Sequence, residues 1–97
     1  MAQRLKDKIC VVTGSSSGLG RAIALGYARE GASVVCADLR PQARAEVEAE
    51  VGVSTDELIR NEHGEKRAVF VKTDVSRSDE FENLIARTVE AYGRIDV

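Results

Sequence analysis

An α/β fold built on a parallel sheet is what these 97 residues predict, and three observations predict it. Short apolar runs of strand length recur along the chain, each bounded by charged or turn-forming residues. Between them lie stretches whose apolar residues repeat at three- and four-residue spacing, the period of a helix with one buried face. A stretch dense in glycine and serine, "VVTGSSSGLGRAIA" at residues 11–24, joins the first apolar run to the first helical one. Strand then helix, repeated, is the signature of a parallel sheet whose crossovers are helices.

Lys8 to Thr13 is the first strand, bounded by Asp7 and Gly14, and its unbroken apolar character suits a strand covered on both faces. A helix follows from about Leu19 to Glu30. Its stripe is Leu19, Ala22, Ile23, Gly26 and Tyr27, and Gly31 stands where a left-handed C-terminal cap belongs. Ser33 to Asp38 is the second strand. The next connection, Leu39 to Arg67, is longer than one crossover helix requires. Pro41 suits a first helical position and Ala43, Val47 and Val51 share a stripe, which predicts a helix over 41–51. After Gly52, the run Ser54-Thr55-Asp56-Glu57 fits a capping box and predicts a second helical piece over 55–62, ending at Gly64. The charge of this insert predicts a solvated face with no chemistry. Ala68 to Thr73 is the third strand. Phe81, Leu84, Ile85, Thr88, Val89 and Tyr92 then define a helix capped by Ser76 or Ser78 and stopped by Gly93. Arg94 to Val97 opens a fourth strand.

Right-handed crossovers place the first two connections on one face of the sheet. In the Rossmann-type doubly wound order 3-2-1-4, the fourth strand returns beside the first, and ligands bind in the crevice outside the carboxyl ends of the strands. The glycine–serine bend lies at that crevice. With the sheet truncated at the start of strand four, residues 1–97 are expected to be the N-terminal portion of one incomplete domain, weakly stable or prone to aggregate.

The small residues of the bend have separate jobs. Gly14 allows a sharp turn out of the strand, Gly18 lets the backbone approach a phosphate, and Gly20 lets the helix pack closely on the sheet. Ser15, Ser16 and Ser17 offer hydroxyls without bulk. The unpaired N–H groups and dipole of the helix start attract an anion, and pyrophosphate is the natural guest. A P-loop is excluded because Leu19 stands five residues after Gly14 with no Lys beyond it. The pattern is T-G-x-x-x-G-x-G, with Ser16 where G-x-G-x-x-G has its second glycine. Asp38, 20 residues after Gly18, ends strand two where a carboxylate can accept hydrogen bonds from the adenosine ribose. An acid there opposes a 2′-phosphate and so favours NAD. Arg40 argues for NADP, because a guanidinium pairs with phosphate. Asp74 ends strand three at the rim where the adenine would lie, or serves as a turn or cap residue.

Composition removes other classes. Fourteen Lys and Arg against 16 Asp and Glu, mixed along the chain, leave no basic stripe for nucleic acid. The N-terminus has no apolar segment long enough for a signal peptide or membrane span, which predicts a cytoplasmic protein without a membrane partner. Cys10 and Cys36 sit among valines and alanine and read as buried reduced thiols. His63 is the sole histidine, so hydrolytic triads and metal sites are not expected.

"VTGSSSGLGRAIA", "CADL", "TDVS" and "YGRIDV", in this order and spacing, resemble the N-terminal part of the short-chain dehydrogenase/reductase family. The resemblance implies that Gly14 to Gly20, with the Leu19 backbone, hold the cofactor's phosphates. It implies that Asp38 selects NAD and that Asp74, with the Val75 backbone beside it, meets the adenine amino group. Cofactor-binding residues are therefore expected at Gly14, Ser16, Ser17, Gly18, Leu19, Gly20, Asp38, Asp74 and Val75. Leu19 replaces the more frequent Ile, and Asp7 sits where glycine is usual. The family's reaction would be hydride transfer between nicotinamide and a small alcohol or carbonyl substrate, aided by a Tyr general acid/base, in proteins that are often homo-oligomers. The catalytic Ser and the Tyr-x-x-x-Lys pair have no counterpart here, since Gly31 follows Tyr27 by four residues and Asp96 follows Tyr92 by four. Catalytic residues are thus expected to be none, and the isolated chain inactive. A non-catalytic NAD-binding module is the alternative. A fragment of an S-adenosylmethionine methyltransferase is a second, though such enzymes favour an acid where Thr13 precedes Gly14.

Overall fold

The computed structural model describes residues 4–40 and 52–97, so the helix predicted over 41–51 lies outside the described residues. The elements run β1 (Ile9–Thr13), α1 (Gly18–Arg29), β2 (Ser33–Asp38), α2 (Thr55–His63), β3 (Ala68–Lys72) and α3 (Ser78–Tyr92). A 3-10 turn, Glu65–Arg67, leads into β3. The strands form one parallel sheet in the order β1-β2-β3, with Val12, Cys36 and Phe70 level across it.

The expected fourth strand exists as paired backbone rather than as a regular strand. Val97 donates to Ile9 O at 3.2 Å and accepts from Val11 N at 2.9 Å, which is parallel pairing. These bonds use the odd-numbered residues of β1, whereas Ser33 N bonds Lys8 O on the β2 side. The tail therefore lies on the far edge of β1, as the order 3-2-1-4 requires. Asp96 ties it down by accepting the Ile9 N–H at 2.8 Å and pairing with Arg94 at 2.6 Å.

The two faces of the sheet are covered by different helices. On one, α1 and α2 cover Cys10, Val12, Val34, Cys36 and Ala68 with Ala24, Ala28 and Ile59. On the other, α3 brings Leu84 onto Val35 and Ala37, with Val11, Val69, Val71 and Tyr92 packed around them. Arg67, the last residue of the 3-10 turn before β3, donates to Ala28 O at 2.8 Å and to Ala32 O at 2.7 Å, and so caps the C-terminal end of α1.

The helix faces differ from the sequence expectation. The stripe expected to be buried in α1 is largely turned outward, with Leu19 77% exposed and Ile23 beside it, while Arg21, Ala24 and Ala28 are buried. The inward face is set by Ala24 and Ala28, with Leu25 and Tyr27 packed partly buried against the same core, so of the larger residues in the expected stripe Tyr27 is the one that reaches it. In α3 the expected stripe splits. Leu84 and Thr88 face the sheet, and Phe81, Ile85 and Val89 face outward.

The expected caps differ too. Arg77 occupies the N-cap position of α3, because Ser76 Oγ is taken by Asp74 and Ser78 has already entered the helix. Glu80 instead reaches back to the Asp74 N–H at 2.8 Å. The capping box of α2 is not made: Ser54 is the N-cap residue but forms no side-chain cap bond. Nor is α2 a solvated helix, since Thr55, Asp56 and Ile59 are buried against α1 and the sheet. Asp7 has φ +64, the sole positive φ of a non-glycine among the described residues, at the position where the family resemblance expected glycine.

Candidate functional site

The chain leaves β1 at Thr13 and turns at Gly14, whose φ of +64 an L side chain resists. Gly18, at φ +61, opens α1 in the same region of backbone space. Gly20 meets the bend from the other side. A Cβ built there would lie 2.0 Å from Gly14 O and 2.6 Å from Gly14 C, so the first turn of α1 rests directly on the bend. Gly14 makes the sharp turn expected of it, and Gly20 makes a close approach, though to the bend rather than to the sheet.

The serines do more for the protein than expected. Ser15, Ser16 and Ser17 are all buried. Ser15 N–H and Oγ both donate to Ala37 O, at 3.3 and 3.5 Å, and Ser16 Oγ donates to Arg40 O. Two of the three hydroxyls are therefore turned onto the end of β2. Ser17 stands at the N-cap of α1 without a side-chain cap bond, and the first turn carries no acid. The positive end of the helix dipole is not neutralised from within its own first turn.

Asp38 closes the site from β2. Its Oδ2 accepts the Ser16 N–H at 3.1 Å and its Oδ1 accepts the Leu39 N–H at 2.7 Å. A carboxylate has about four acceptor sites, so each oxygen retains one lone pair for a hydroxyl. Holding the loop is a task for Asp38 that its spacing did not signal.

These parts surround a cleft of about 530 Å³ lined by Gly14, Ser17, Leu19, Gly20, Asp38, Leu39 and Arg40. Its floor is backbone and small side chains, its wall the start of a helix, and its rim carries one carboxylate and one guanidinium. That lining suits an elongated anionic ligand with a hydroxylated end, and a dinucleotide's pyrophosphate and ribose match it. Asp74 and Val75 do not line this cleft. They follow β3, with Val75 exposed, and the Asp74 carboxylate accepts from Ser76 Oγ at 2.6 Å and Ser76 N at 3.0 Å. Those bonds hold the Asp74 carboxyl below the usual range, and the residue shapes the turn into α3.

Two residues of the site region escaped the sequence reading. Thr55, the first residue of α2, donates from Oγ1 to Ser15 O at 2.6 Å, and Arg21 Nη1 approaches the same Oγ1 at 3.5 Å. Behind them the Cys36 thiol is pushed up to about 12, by burial first and by the Asp56 carboxylate second. Cys10 is raised as well, again chiefly by burial. Among the described residues there is no group of three or more His, Cys, Asp or Glu that could hold a metal ion. No helix among them is long and apolar enough to cross a membrane.

The fold and cleft define a Rossmann-like α/β protein with a glycine bend at the end of its first strand. The short chain dehydrogenase family model matches residues 8–97, and the chain belongs to that family. It is 38% identical over 93 residues to the short chain dehydrogenase/reductase astE of Aspergillus oryzae, covering 96% of this chain and 32% of that protein. A 2,5-dichloro-2,5-cyclohexadiene-1,4-diol dehydrogenase of Sphingobium indicum is 41% identical over 93 residues, covering 96% of this chain and 33% of that one. Among solved structures, a short chain dehydrogenase/reductase from Burkholderia phymatum in complex with NAD superposes with a TM-score of 0.76 at 29% identity, over 95% of this chain and 29% of that one. The chain thus spans about a third of the length of the curated relatives it matches. Membership in this family sets the methyltransferase alternative aside.

Proposed function

We propose that residues 1–97 form the N-terminal part of an NAD(P)-binding domain and hold the adenosine and pyrophosphate of a nicotinamide dinucleotide. The observation that carries the reading is the contact of Gly20 with Gly14, which brings the start of α1 onto a bend bounded by Asp38. Backbone of the Gly14–Gly20 segment, including Leu19, would meet the phosphates, with Ser16 and Ser17 shaping its inner wall. Asp38 would accept the ribose hydroxyls on the lone pairs that Ser16 and Leu39 leave open. Its charge disfavours a 2′-phosphate, so NAD is preferred, with Arg40 as the group that would admit NADP. Asp74 and the Val75 backbone would meet the adenine amino group, using the Asp74 oxygen that Ser76 does not engage.

The reaction that follows from family membership is oxidation of an alcohol or reduction of a carbonyl in the complete protein, where the nicotinamide supplies or takes the hydride. In the 97-residue polypeptide neither tyrosine precedes a lysine by four residues. Its expected behaviour is binding without turnover. Titration of the chain with NADH and NADPH, followed by an assay of NADH oxidation with a panel of ketones and aldehydes, separates the two. Saturable NADH binding, weaker NADPH binding and no oxidation are expected. Absence of dinucleotide binding by the folded chain would overturn the reading of the site, and turnover would overturn the assignment of a binding part alone.

A further inference from the structure

We infer that Thr55 is a positioning residue that holds the pyrophosphate loop in its binding conformation, so that α2 sets the affinity for diphosphate ligands. The inference rests on the dinucleotide reading above. It starts from how the loop is fastened. Ser15 is pinned on its amino side by β2, through Ser15 N to Ala37 O at 3.3 Å. On its carbonyl side the contact is with α2, through Thr55 Oγ1 to Ser15 O at 2.6 Å. The peptide between Ser15 and Ser16 is thus fixed at its oxygen by Thr55, and at its N–H by Asp38 at 3.1 Å. That peptide orients the next residues, Ser17 and Gly18, which open α1.

The surroundings show that the contact is not incidental. Thr55 is 1% exposed, and Ser54 and Asp56 on either side are 7% and 6% exposed. Ser54 Oγ and Asp56 Oδ1 have no hydrogen-bond partner, although each is buried. Burying unpaired polar atoms is costly, and packing alone would favour apolar residues there. The one hydroxyl of this turn that is used by the loop is the one aimed at Ser15 O. Arg21, from the first turn of α1, approaches the same Thr55 oxygen at 3.5 Å, so the hydroxyl stands between the loop and the helix that the loop begins.

Removing the Thr55 hydroxyl leaves Ser15 O without this donor, and loop conformations that bind no diphosphate gain population. Apparent affinity then falls by the fraction of loop that remains competent. The test is Thr55→Val, which keeps shape, and Thr55→Ser, which keeps the hydroxyl, each titrated calorimetrically with ADP-ribose and with adenosine. Thr55→Val is expected to weaken ADP-ribose about three- to tenfold, the range of one net hydrogen bond, and to leave adenosine unchanged, while Thr55→Ser restores ADP-ribose affinity. Equal losses for both ligands, no loss for either, or no rescue by serine would overturn the inference. Should Thr55→Val fail to fold, the wild-type chain provides the second test through linkage. ADP-ribose, and not adenosine, is expected to slow amide exchange at Leu58, whose N–H bonds Ser54 O in the first turn of α2. Unchanged exchange there would refute coupling between α2 and the loop. A wild-type chain that binds neither NADH nor ADP-ribose would instead refute the dinucleotide reading itself.

Discussion

Two glycines of the same helix offer a controlled test of how the site is built. Gly20→Ala and Gly26→Ala both add one methyl group to α1, and both gain the same helix propensity, about 1 kcal/mol. Their surroundings differ. Nothing lies within 4 Å of a Cβ at Gly26, whereas at Gly20 it would sit 2.0 Å from Gly14 O and 3.2 Å from Ser15 N. Ordinary contact begins at 3.4 Å, so the bend and the helix must separate by 1.4 Å, and the atoms in the way are backbone. Overpacking of this kind costs about 1–3 kcal/mol. Because the propensity gain cancels between the variants, that cost is the whole difference in stability. For a domain of this size it corresponds to about 5–20 °C in melting temperature. Binding suffers separately: loss of one charge-assisted hydrogen bond between loop and phosphate, about 1.5–3 kcal/mol, weakens NADH about ten- to hundredfold. Thermal melts followed by circular dichroism and NADH titrations of both variants provide the numbers. Gly26→Ala is expected to melt above the parent and bind as it does, with Gly20→Ala low on both counts. Equal behaviour of the two would refute the claim that close backbone approach at Gly20 builds the site.

Two further outcomes follow from the backbone and the buried thiols. Asp7→Gly relieves a left-handed conformation that costs an L residue about 1–2 kcal/mol, less for Asp than for most, and is expected to raise the free energy of unfolding by about 0.5–1 kcal/mol, read from urea denaturation; an unchanged or lower value would count against strain at Asp7. Cys36 is a thiol whose folded value, about 12, lies above its ordinary 9.0. Its contribution to stability is therefore complete below pH 9 and is lost as the pH climbs toward 12. A thiol-reactive chromophore at pH 8 should leave Cys36 unmodified in the native chain and label it in urea, and Cys36→Ala should flatten the alkaline limb of the stability curve. Native labelling at the rate of a free thiol would contradict the burial.

The strands were legible because a parallel sheet covered on both faces gives each strand an apolar interior, as in Val34 to Ala37 between Ser33 and Asp38. Ser33 to Asp38 was predicted to the residue, and Ile9–Thr13 and Ala68–Lys72 fall within one residue of the sequence reading at each end. The inward faces of the helices were legible only in part, since Leu84 and Thr88 of the expected α3 stripe are buried whereas Leu19 and Ile23 of the α1 stripe are exposed. In α1 apolar character and burial part company: Leu19 and Ile23 carry the hydrophobic signal, yet Ala24 and Ala28 are the fully buried residues, and Gly20 lets the first turn rest on the bend. A periodicity argument counts apolar side chains and has no term for how near two backbones come.

The candidate site divides along the same line. Gly14, Gly18 and Gly20 announce themselves, since a backbone that must turn left or touch its neighbour has few residue choices. Asp38 is announced only in part, because spacing places a carboxylate at the end of β2 but cannot reveal that Ser16 N–H already leans on it. Thr55 is announced as something else. In the sequence, Ser54-Thr55-Asp56-Glu57 is a helix start with a hydroxyl to cap it, and that reading assumes a first turn surrounded by water. Once the turn is buried, the balance changes. An N-cap hydroxyl bond contributes about 1 kcal/mol, whereas a buried carbonyl left without a donor costs about 1–3 kcal/mol. Satisfying Ser15 O through Thr55 is thus enough to offset a missing cap on α2. The Thr55 hydroxyl goes to Ser15 O, and Ser54, though in the capping position, is left with nothing to bond.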